Sequence, residues 1–371
     1  MSKLFEPFAM GSHRLANRIA MAPLTRSRAR PHNVPSDLAP LYYAQRGEAG
    51  LIVTEGTAIS PNAIGYLDVP GLWTAEQVEA WKPVTKAVHE RGAVIFTQLW
   101  HVGRVSHVST QPGRAAPVSS TSRIAADSQA FGLRDDGTAA LVDVSTPRAL
   151  TTEEVRGVTA DFVRAARNAI EAGFDGIELH GANGYLIEQF LNPNVNDRTD
   201  AYRGDTLEGR TRFLLETLDA VIAAIGAERT AVRLSPYGQL FDNPAYPEIE
   251  ETYLYLADEF SRRGIAYVHL MDQSTRGSTG TPPDFLAKFR THFKGTLILA
   301  GGMTRERAEQ MIDAGLIDVA AFGEPFIANP DLVTRLRNRW PIAESDRTIH
   351  YGGGARGYTD FPVYSPEGMT A

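Results

Sequence analysis

Eight short apolar segments alternate with eight amphipathic segments along the chain, and this alternation constrains the fold more than any other feature. The apolar segments are apolar on both faces, which is typical of parallel strands covered by helices. We predict strands at 18–24, 51–57, 94–100, 176–181, 230–235, 266–271, 296–302 and 319–323. We predict helices at 36–46, 74–91, 151–172, 207–225, 250–263, 283–293, 304–314 and 331–339. Strict alternation favours a single (β/α)8 TIM barrel, an α/β fold, over several domains.

The chain has 371 residues, whereas such a barrel needs about 250, so roughly 120 must lie outside it. We predict one domain over 1–371 with an N-terminal lead-in to about residue 17 that forms a hairpin at the barrel bottom. Excursions follow strand three (101–150) and strand five (236–247), and a C-terminal tail spans 341–371. The segment 101–150 is rich in Ser, Pro and Gly, and we expect it to be a lid.

Composition excludes several classes of protein. The chain has no cysteine, which excludes a disulfide framework, a thiolate zinc site, an Fe–S cluster and a cysteine nucleophile. Its net charge of 37 − 44 = −7 argues against non-specific nucleic-acid binding. The sequence has no apolar run of membrane-spanning length and no signal-peptide pattern at its N-terminus. We therefore expect a cytoplasmic protein with neither membrane nor nucleic acid as a partner; the expectation of a monomer or homodimer comes only from the family resemblance described below.

Reactive residues of a TIM barrel lie at the C-terminal ends of its strands. Among the first five strands, Glu55 is the only acidic residue near such an end, so a two-carboxylate glycosidase is poorly supported. No histidine has a carboxylate at ligand-like spacing, and Gly-x-Ser-x-Gly is absent, so we predict neither a metal site nor a serine nucleophile. The remaining groups are amide, hydroxyl, imidazole and guanidinium donors, which suit a polar heteroaromatic cofactor and a carbonyl.

Glycines at the ends of the last two predicted strands indicate a phosphate site. Gly301 and Gly302 end strand seven, and Gly323 ends strand eight. Main-chain N–H groups can approach a phosphate closely at such turns, and the following helix N-terminus adds partial positive charge. A single Gly-Gly turn more often means a tight loop, but two turns in the usual phosphate-binding units strengthen this interpretation.

Seven segments of the chain resemble the old yellow enzyme family. They are MAPLTR at 21–26, HGANGYLIEQF at 180–190, NDRTD at 196–200, GR at 209–210, RLSP at 233–236, FIANPDL at 326–332 and YGGG at 351–354. The resemblance runs from about residue 4 to about residue 362, and the segment 180–190 is its most specific part. Within the family, the chain most resembles the bacterial ene-reductases of the N-ethylmaleimide reductase and pentaerythritol tetranitrate reductase kind.

The resemblance implies a barrel that binds FMN, which is reduced by NADPH or NADH and reoxidised by an activated alkene in a ping-pong cycle. The alkene would be a small electrophile: an α,β-unsaturated carbonyl compound, a maleimide or a nitroalkene, with nitrate esters as a possible variant. Relatives that reduce dienoyl-CoA or act on trimethylamine commonly carry an Fe–S cluster, which a chain without cysteine cannot hold.

The resemblance assigns flavin contacts to residues at the ends of strands one, two, three and five. The Thr25 hydroxyl would bond the flavin C4 carbonyl, Gln98 would face the pyrimidine edge, and Arg233 would stabilise the negative charge of reduced flavin. Backbone or packing contacts to the ring are expected from Pro23, Leu24 and Gly56. From the residues alone, core packing explains Pro23 and Leu24 equally well, and a structural salt bridge explains Arg233.

The substrate contacts implied by the resemblance follow strand four. His180 and Asn183 would donate hydrogen bonds to the substrate carbonyl oxygen, and Tyr185 would protonate the α-carbon. Isolated side chains of these types are more often a satisfied structural histidine and a packed aromatic. The remaining pocket walls would come from Tyr66, Trp100 and Tyr351.

One residue departs from the family pattern at the phosphate site. The family commonly has Arg after the strand-eight glycine, whereas this chain has Glu324. A carboxylate repels a phosphate, so we expect Glu324 to point away and leave the main-chain N–H groups of residues 323 and 324 to bind. We expect Arg305 to supply compensating positive charge.

Two other classes of function compete with the ene-reductase. A non-enzymatic flavin or ligand carrier would need FMN contacts but not Tyr185 together with His180 and Asn183. A metal-dependent aldolase or hydrolase barrel would be colourless and inhibited by a chelator.

Overall fold

The strands form one closed barrel and three small accessory sheets in this computed structural model, which describes residues 2–278 and 280–366. In chain order the strands are β1 (Phe8–Met10), β2 (His13–Leu15), β3 (Ile19–Met21), β4 (Leu51–Val53), β5 (Thr57–Ala58), β6 (Val94–Trp100), β7 (Val118–Ser119), β8 (Gln129–Leu133), β9 (Ala139–Asp143), β10 (Arg148–Ala149), β11 (Gly176–Gly181), β12 (Thr230–Leu234), β13 (Tyr267–Met271), β14 (Thr296–Ala300) and β15 (Val319–Phe322).

Eight of these strands are parallel neighbours in the order β11, β12, β13, β14, β15, β3, β4, β6, and β6 pairs back with β11 to close the barrel. The helices are α1 (Ala39–Gln45), α2 (Ala75–His89), α3 (Thr152–Glu171), α4 (Leu186–Leu191), α5 (Leu207–Ile225), α6 (Ile249–Arg263), α7 (Pro283–His292), α8 (Arg305–Asp313), α9 (Pro325–Ala328) and α10 (Leu332–Asn338). The predicted TIM-barrel fold is confirmed.

Local chemistry explains where the elements begin and end. Capping boxes start α2 at Thr74 and α3 at Thr151, as the sequence of each start predicts. The predicted strand 51–57 is interrupted, because the Glu55 main-chain N–H donates to the Tyr43 hydroxyl instead of a neighbouring strand. The predicted strand 296–302 ends early, at Ala300, because Gly301 adopts a φ of +110°.

The expected N-terminal hairpin is present: β1 and β2 pair antiparallel. Met10 and Leu15 are fully buried, and the His13 ring packs edge-on against Phe96 of β6 at 5.6 Å. The segment 101–150 contains four short strands, β7 to β10, that were not predicted from the sequence. Its β8 and β9 form an antiparallel hairpin, and its two short strands β7 and β10 pair in parallel.

The C-terminal tail is held by two arginines that follow β3. Arg26 is fully buried and donates to the carbonyl oxygens of His350 and Gly357 at 3.0 and 2.6 Å. Arg28 donates to the carbonyl oxygens of Ile349 and Arg356 at 3.1 and 3.0 Å. The tail therefore lies against the C-terminal face of the barrel beside strand β3. No helix within the described residues is long and apolar enough to cross a membrane.

Candidate active site

Strand register brings five polar side chains of the barrel strands into adjacent positions. Glu178 of β11 lies opposite Gln98 of β6, and Arg233 of β12 lies opposite both His180 of β11 and His269 of β13. Gln98 Nε2 donates to Glu178 Oε1 at 2.7 Å, and His269 Nδ1 lies 2.9 Å from Glu178 Oε2. The amide nitrogen of Gln98 is thus held by the barrel interior, which directs Gln98 Oε1 away from Glu178.

Glu178 is ionised despite complete burial. Burial alone would raise the pKa of its carboxyl, but the His269 ring, the Arg233 charge and the Gln98 N–H outweigh it and hold the pKa below the usual value. The sequence analysis did not identify Glu178, His269 or their contact. The only signal was a carboxylate within an otherwise apolar strand, and assigning it required the strand register.

Arg233 is buried and has no carboxylate within 4 Å among the described residues. Its Nε has no hydrogen-bond partner there, and Nη2 contacts the Met271 sulfur at 3.4 Å. Burial lowers the pKa of the guanidinium to about 10, although Glu178 opposes this, so it remains cationic at neutral pH. The structural salt bridge that competed with the flavin interpretation is therefore absent from the described residues. A buried guanidinium with an unsatisfied N–H donor and no ion-pair partner is suited to binding an anionic ligand.

The side chains of His180 and Tyr185 meet at the end of β11, and Asn183 lies in the turn between these two residues. The His180 and Tyr185 rings are 5.1 Å apart, and His180 Nδ1 is buried without a partner in the described chain. Burial, reinforced by Arg233 and His269, holds the pKa of His180 well below its usual value, so the ring is neutral. Burial raises the pKa of Tyr185 to about 12, so its phenol is protonated at neutral pH.

The turn that carries Asn183 is strained and strongly anchored. Asn183 and Gly184 both have positive φ, +60° and +76°, and a β-carbon at residue 184 would collide with the Leu240 carbonyl oxygen. The Asn183 N–H donates to Ser235 Oγ at 2.7 Å, and the Gly184 N–H donates to Glu188 Oε2. Glu188, which the sequence analysis did not identify, lies on α4 directly after the turn.

Two aromatic side chains, Trp100 and Tyr66, form one wall beside Tyr185. Trp100 stacks on Tyr66 with ring centroids 5.6 Å apart and meets Tyr185 edge-on at 5.1 Å. The Tyr66 and Tyr185 hydroxyl oxygens are 3.3 Å apart. Tyr351 differs from the expectation of a wall residue, because 62% of its surface is exposed. It lies at the open edge of the site, near enough to influence the pKa values of Tyr66 and Tyr185.

The remaining residues assigned to the flavin lie where the sequence analysis expected, at the C-terminal ends of the strands. Pro23, Leu24 and Thr25 are half-buried directly after β3. Gly56 is buried, and a β-carbon there would collide with the Trp100 ring, so packing alone already requires glycine at this position.

The two glycine turns lie after β14 and β15. A β-carbon at Gly323 would have room, whereas one at Gly302 would lie 3.0 Å from the Thr275 side chain and 3.2 Å from that of Arg307. The Glu324 carboxylate turns toward the C-terminal tail, where it accepts hydrogen bonds from Ser345 at 3.1 Å and Arg347 at 3.3 Å.

The expectation for Arg305 is wrong, because its guanidinium is used elsewhere. It pairs with Glu309 at 2.9 Å and donates to the Leu336 carbonyl oxygen at 2.6 Å. Arg307, two residues later, is the arginine at the glycine turn. It donates to the Gly301 carbonyl oxygen at 2.6 Å and pairs with Asp272 at 3.1 Å. No group of three or more His, Asp or Glu that could hold a metal occurs in residues 2–278 and 280–366.

The unpartnered donors fit an anionic heteroaromatic cofactor such as FMN. Buried donors without partners in the described residues include Arg233 Nε and Trp100 Nε1. Thr25 is half-buried in the segment after β3. Glycine turns follow β14 and β15, where TIM barrels bind phosphate. The interior therefore offers one cation for a ring and main-chain N–H groups for a phosphate.

Comparison with known proteins gives one consistent family. Residues 3–342 match the model of the NADH:flavin oxidoreductase / NADH oxidase family. The chain is 44% identical over 366 residues to a putative 12-oxophytodienoate reductase 11 of Oryza sativa subsp. japonica, covering 97% of both chains. It is 42% identical over 368 residues to 12-oxophytodienoate reductase 2 of Arabidopsis thaliana, covering 97% of this chain and 95% of that one.

Solved structures that are similar to this chain point to the same family. A morphinone reductase in complex with tetrahydroNAD is 46% identical with a TM-score of 0.94, and 99% of each chain is covered. An old yellow enzyme homologue from Zymomonas mobilis is 38% identical with a TM-score of 0.90, covering 98% of this chain and 100% of that one. The chain belongs to the NADH:flavin oxidoreductase / NADH oxidase family and is an FMN-dependent, nicotinamide-using oxidoreductase of the old yellow enzyme type.

Proposed function

We propose that this protein is an ene-reductase that reduces the activated C=C bond of α,β-unsaturated carbonyl compounds, maleimides or nitroalkenes in a ping-pong cycle. The observation that carries the proposal is the convergence of a neutral His180 and a protonated Tyr185, with rings 5.1 Å apart, beside the buried cation Arg233. A hydrogen-bond donor for a carbonyl, a proton donor and a site for an anionic ring are what this reaction needs.

The flavin side of the site would be formed by residues from four strands. Bound FMN supplies a ring that takes a hydride from the nicotinamide and later gives it to the alkene. The Thr25 hydroxyl would bond the C4 carbonyl, and Gln98 would present Oε1 to the pyrimidine edge because its amide nitrogen is held by Glu178. Arg233 would lie at the N1 and O2 edge, where its charge stabilises the reduced, anionic form.

The phosphate would be held mainly by main-chain N–H groups of the turns at Gly301, Gly302, Gly323 and Glu324. The Glu324 carboxylate is withdrawn from them by Ser345 and Arg347. The helix α8 that follows the first turn adds the partial positive charge of its N-terminus.

The substrate side would use two donors on one oxygen. His180 and Asn183 would bond the substrate carbonyl or nitro oxygen and stabilise the negative charge that develops on it as hydride reaches the β-carbon. Tyr185 would then give its proton to the α-carbon, since its raised pKa of about 12 keeps the phenol protonated. Tyr66 and Trp100 would close the pocket around the alkene, and Tyr351 would line its entrance.

The hairpin β8–β9 would contribute the lid. Tyr66 forms an isolated parallel bridge with Phe131 of β8, so the hairpin lies next to the aromatic wall. Cytoplasmic location, a monomeric or dimeric state, preference for NADPH or NADH and nitrate-ester reduction stay predictions.

An absorption spectrum followed by two anaerobic titrations tests the function. We expect a yellow protein whose flavin absorbance is bleached by NADPH or NADH and restored by 2-cyclohexenone. A flavin carrier would be yellow and would respond to neither reagent. A colourless protein inhibited by a chelator would instead indicate the metal-dependent barrel.

A further inference from the structure

An asparagine can help to bind a substrate oxygen only if its amide nitrogen, and not its amide oxygen, faces that oxygen. Asn183 Oδ1 accepts a hydrogen bond from Gln273 Nε2 at 2.9 Å. We propose that Gln273, in the segment after β13, is a positioning residue that sets the orientation of the Asn183 amide and so makes Asn183 a donor toward the substrate. This inference rests on the proposed ene-reductase function.

The orientation of the Gln273 side-chain amide follows from its contact with the main-chain N–H of Gln239, which can only donate a hydrogen bond. Gln273 Oε1 accepts from the Ser278 hydroxyl at 3.2 Å and from the main-chain N–H of Gln239 at 3.2 Å, an N–H that Ser278 Oγ shares at 3.2 Å. A main-chain N–H only donates, so the Gln273 atom that faces it must be the oxygen. The nitrogen of the same amide is therefore on the other side, toward Asn183.

The orientation of the Gln273 amide in turn determines the orientation of the Asn183 amide. Because Gln273 offers an N–H, the Asn183 atom that faces it must be Oδ1, and both N–H bonds of Nδ2 remain available. Asn183 Nδ2 makes no hydrogen bond to any other described residue. With the opposite orientation, Oδ1 would confront the substrate oxygen, two acceptors would face each other, and the hydrogen bond would be lost.

Both side chains are held from outside the pair. Gln273 is 2% exposed, and a β-carbon at Gly238 would lie 2.7 Å from its amide, so Gly238 packs flat against it. Asn183 is held at its main-chain N–H by Ser235. The pair joins the turn after β11 to the segment after β13, and neither amide can reverse without breaking these contacts.

Gln273→Glu is the sharpest variant, because it keeps the acceptor oxygen for Gln239 and Ser278 and replaces only the nitrogen that faces Asn183. We expect the Asn183 amide to turn over. The probe is a simple phenol titrated into oxidised holoenzyme, whose oxygen stands in for the substrate carbonyl, followed through the flavin absorbance. We expect the phenol Kd to rise roughly ten- to hundredfold, the range for a hydrogen bond to a charged group, while the FMN content stays that of the wild type.

The carboxylate introduced at residue 273 can itself repel a bound phenolate. Repeating the substitution in Asn183→Ala protein separates this repulsion from the effect of turning the Asn183 amide. In Asn183→Ala protein, Gln273→Glu should leave the phenol Kd within about twofold, since no amide remains to be turned. The uncharged Gln273→Met should give a smaller rise than Gln273→Glu, and it serves if the charged variant does not fold. The inference would be overturned if Gln273→Glu raised the phenol Kd equally in wild-type and Asn183→Ala protein. It would also be overturned if Gln273→Glu left the Kd of otherwise wild-type protein unchanged.

A ligand-free measurement keeps the inference separate from the proposed function. The side-chain N–H₂ signal of Asn183, assigned by its loss in Asn183→Ala, should move in Gln273→Glu because the amide now donates to a carboxylate. No movement would overturn the amide orientation even in an active enzyme. If the signal moves but wild-type protein does not turn over cyclohexenone, the orientation stands and the ene-reductase proposal fails.

Discussion

The hydroxyl oxygens of Tyr66 and Tyr185 lie 3.3 Å apart, so the proposed proton donor has one phenolic neighbour that can donate to it or accept from it. Burial raises the pKa of both phenols, that of Tyr185 to about 12. Neither ionises near neutral pH. After Tyr185 has given up its proton, the Tyr66 hydroxyl can stabilise the phenolate by donating to it.

Tyr185→Phe should separate the two half-reactions. The change removes the hydroxyl and keeps the ring that packs against Trp100, so FMN content and reduction by NADPH should stay near wild type. Reoxidation by cyclohexenone should slow by roughly a hundred- to ten-thousandfold, the usual range for loss of a general acid. Stopped-flow absorbance measures both steps. Equal slowing of both, or of neither, would mean that the proton comes from elsewhere.

Tyr66→Phe is the matched variant, because it removes the other hydroxyl of the same pair. We expect it to slow only the reoxidation step, and by about tenfold or less, since one neutral hydrogen bond to Tyr185 is lost. An effect as large as that of Tyr185→Phe would assign the proton to Tyr66 instead.

His180→Ala should weaken the binding of phenols and the turnover of enones far more than it lowers FMN content. Removing one donor to a developing oxyanion typically costs about a hundred- to thousandfold in rate. Steady-state kinetics with cyclohexenone and a phenol titration provide the measurement. His269→Ala is a useful comparison, because His269 bonds Glu178 and has no assigned contact with substrate. Wild-type enone kinetics in His180→Ala would contradict the role of His180.

Glu178→Gln should raise the reduction potential of the bound flavin. The change removes a buried negative charge that interacts with Arg233, so Arg233 stabilises the anionic reduced flavin more strongly. A shift on the order of tens of millivolts is expected, since 30 mV corresponds to about 1.4 kcal/mol for a two-electron couple. Potentiometric titration at pH 8 measures it, with Glu188→Gln as a control that removes a buried carboxylate that is not among the groups shifting the pKa of Arg233. Equal shifts in the two variants would argue against a specific Glu178–Arg233 effect.

Glu188→Gln should reduce the pH dependence of stability. Burial raises the pKa of Glu188 to about 7, above the value of 4.5 that it has when unfolded. Between these two values the folded state binds more protons, so the free energy of unfolding falls as pH rises through this window. Glu55 also has a raised pKa of about 7, so the variant should keep part of the slope. Urea unfolding at pH 5 and pH 8 measures the difference; an unchanged slope would show that Glu188 does not titrate in this range.

The barrel and its strand-end residues could be predicted because each depends on local patterns. Apolar segments, capping residues and glycines at strand ends are visible in the chain, and they located His180, Asn183, Tyr185 and Arg233 near their observed places. Glu178 and Gln273 could not be predicted in the same way. Their roles depend on contacts across strand register and between loops, with Gln98 some 80 and Asn183 some 90 residues away in sequence.

The incorrect expectation for Arg305 has a similar cause. Its position near a glycine turn suggests a phosphate contact, but the direction of its side chain depends on how α8 lies against α10, where it donates to the Leu336 carbonyl oxygen. The exposure of Tyr351 likewise depends on how Arg26 and Arg28 anchor the tail. Such information lies in tertiary contacts and not in the neighbouring residues.

The pairing of β15 with β3, Phe322 opposite Met21, joins the first and the last strand of the barrel, so it can form only after the last barrel strand has been synthesised. Thr25 and Gly323 follow these two strands directly, so FMN held at both would bridge this seam. Ligand that binds only the closed barrel stabilises it by mass action, by about 2.7 kcal/mol at a hundredfold excess over Kd. Bound cofactor would thereby hold the first and last barrel strands together, and FMN-free protein would be less stable than the holoenzyme.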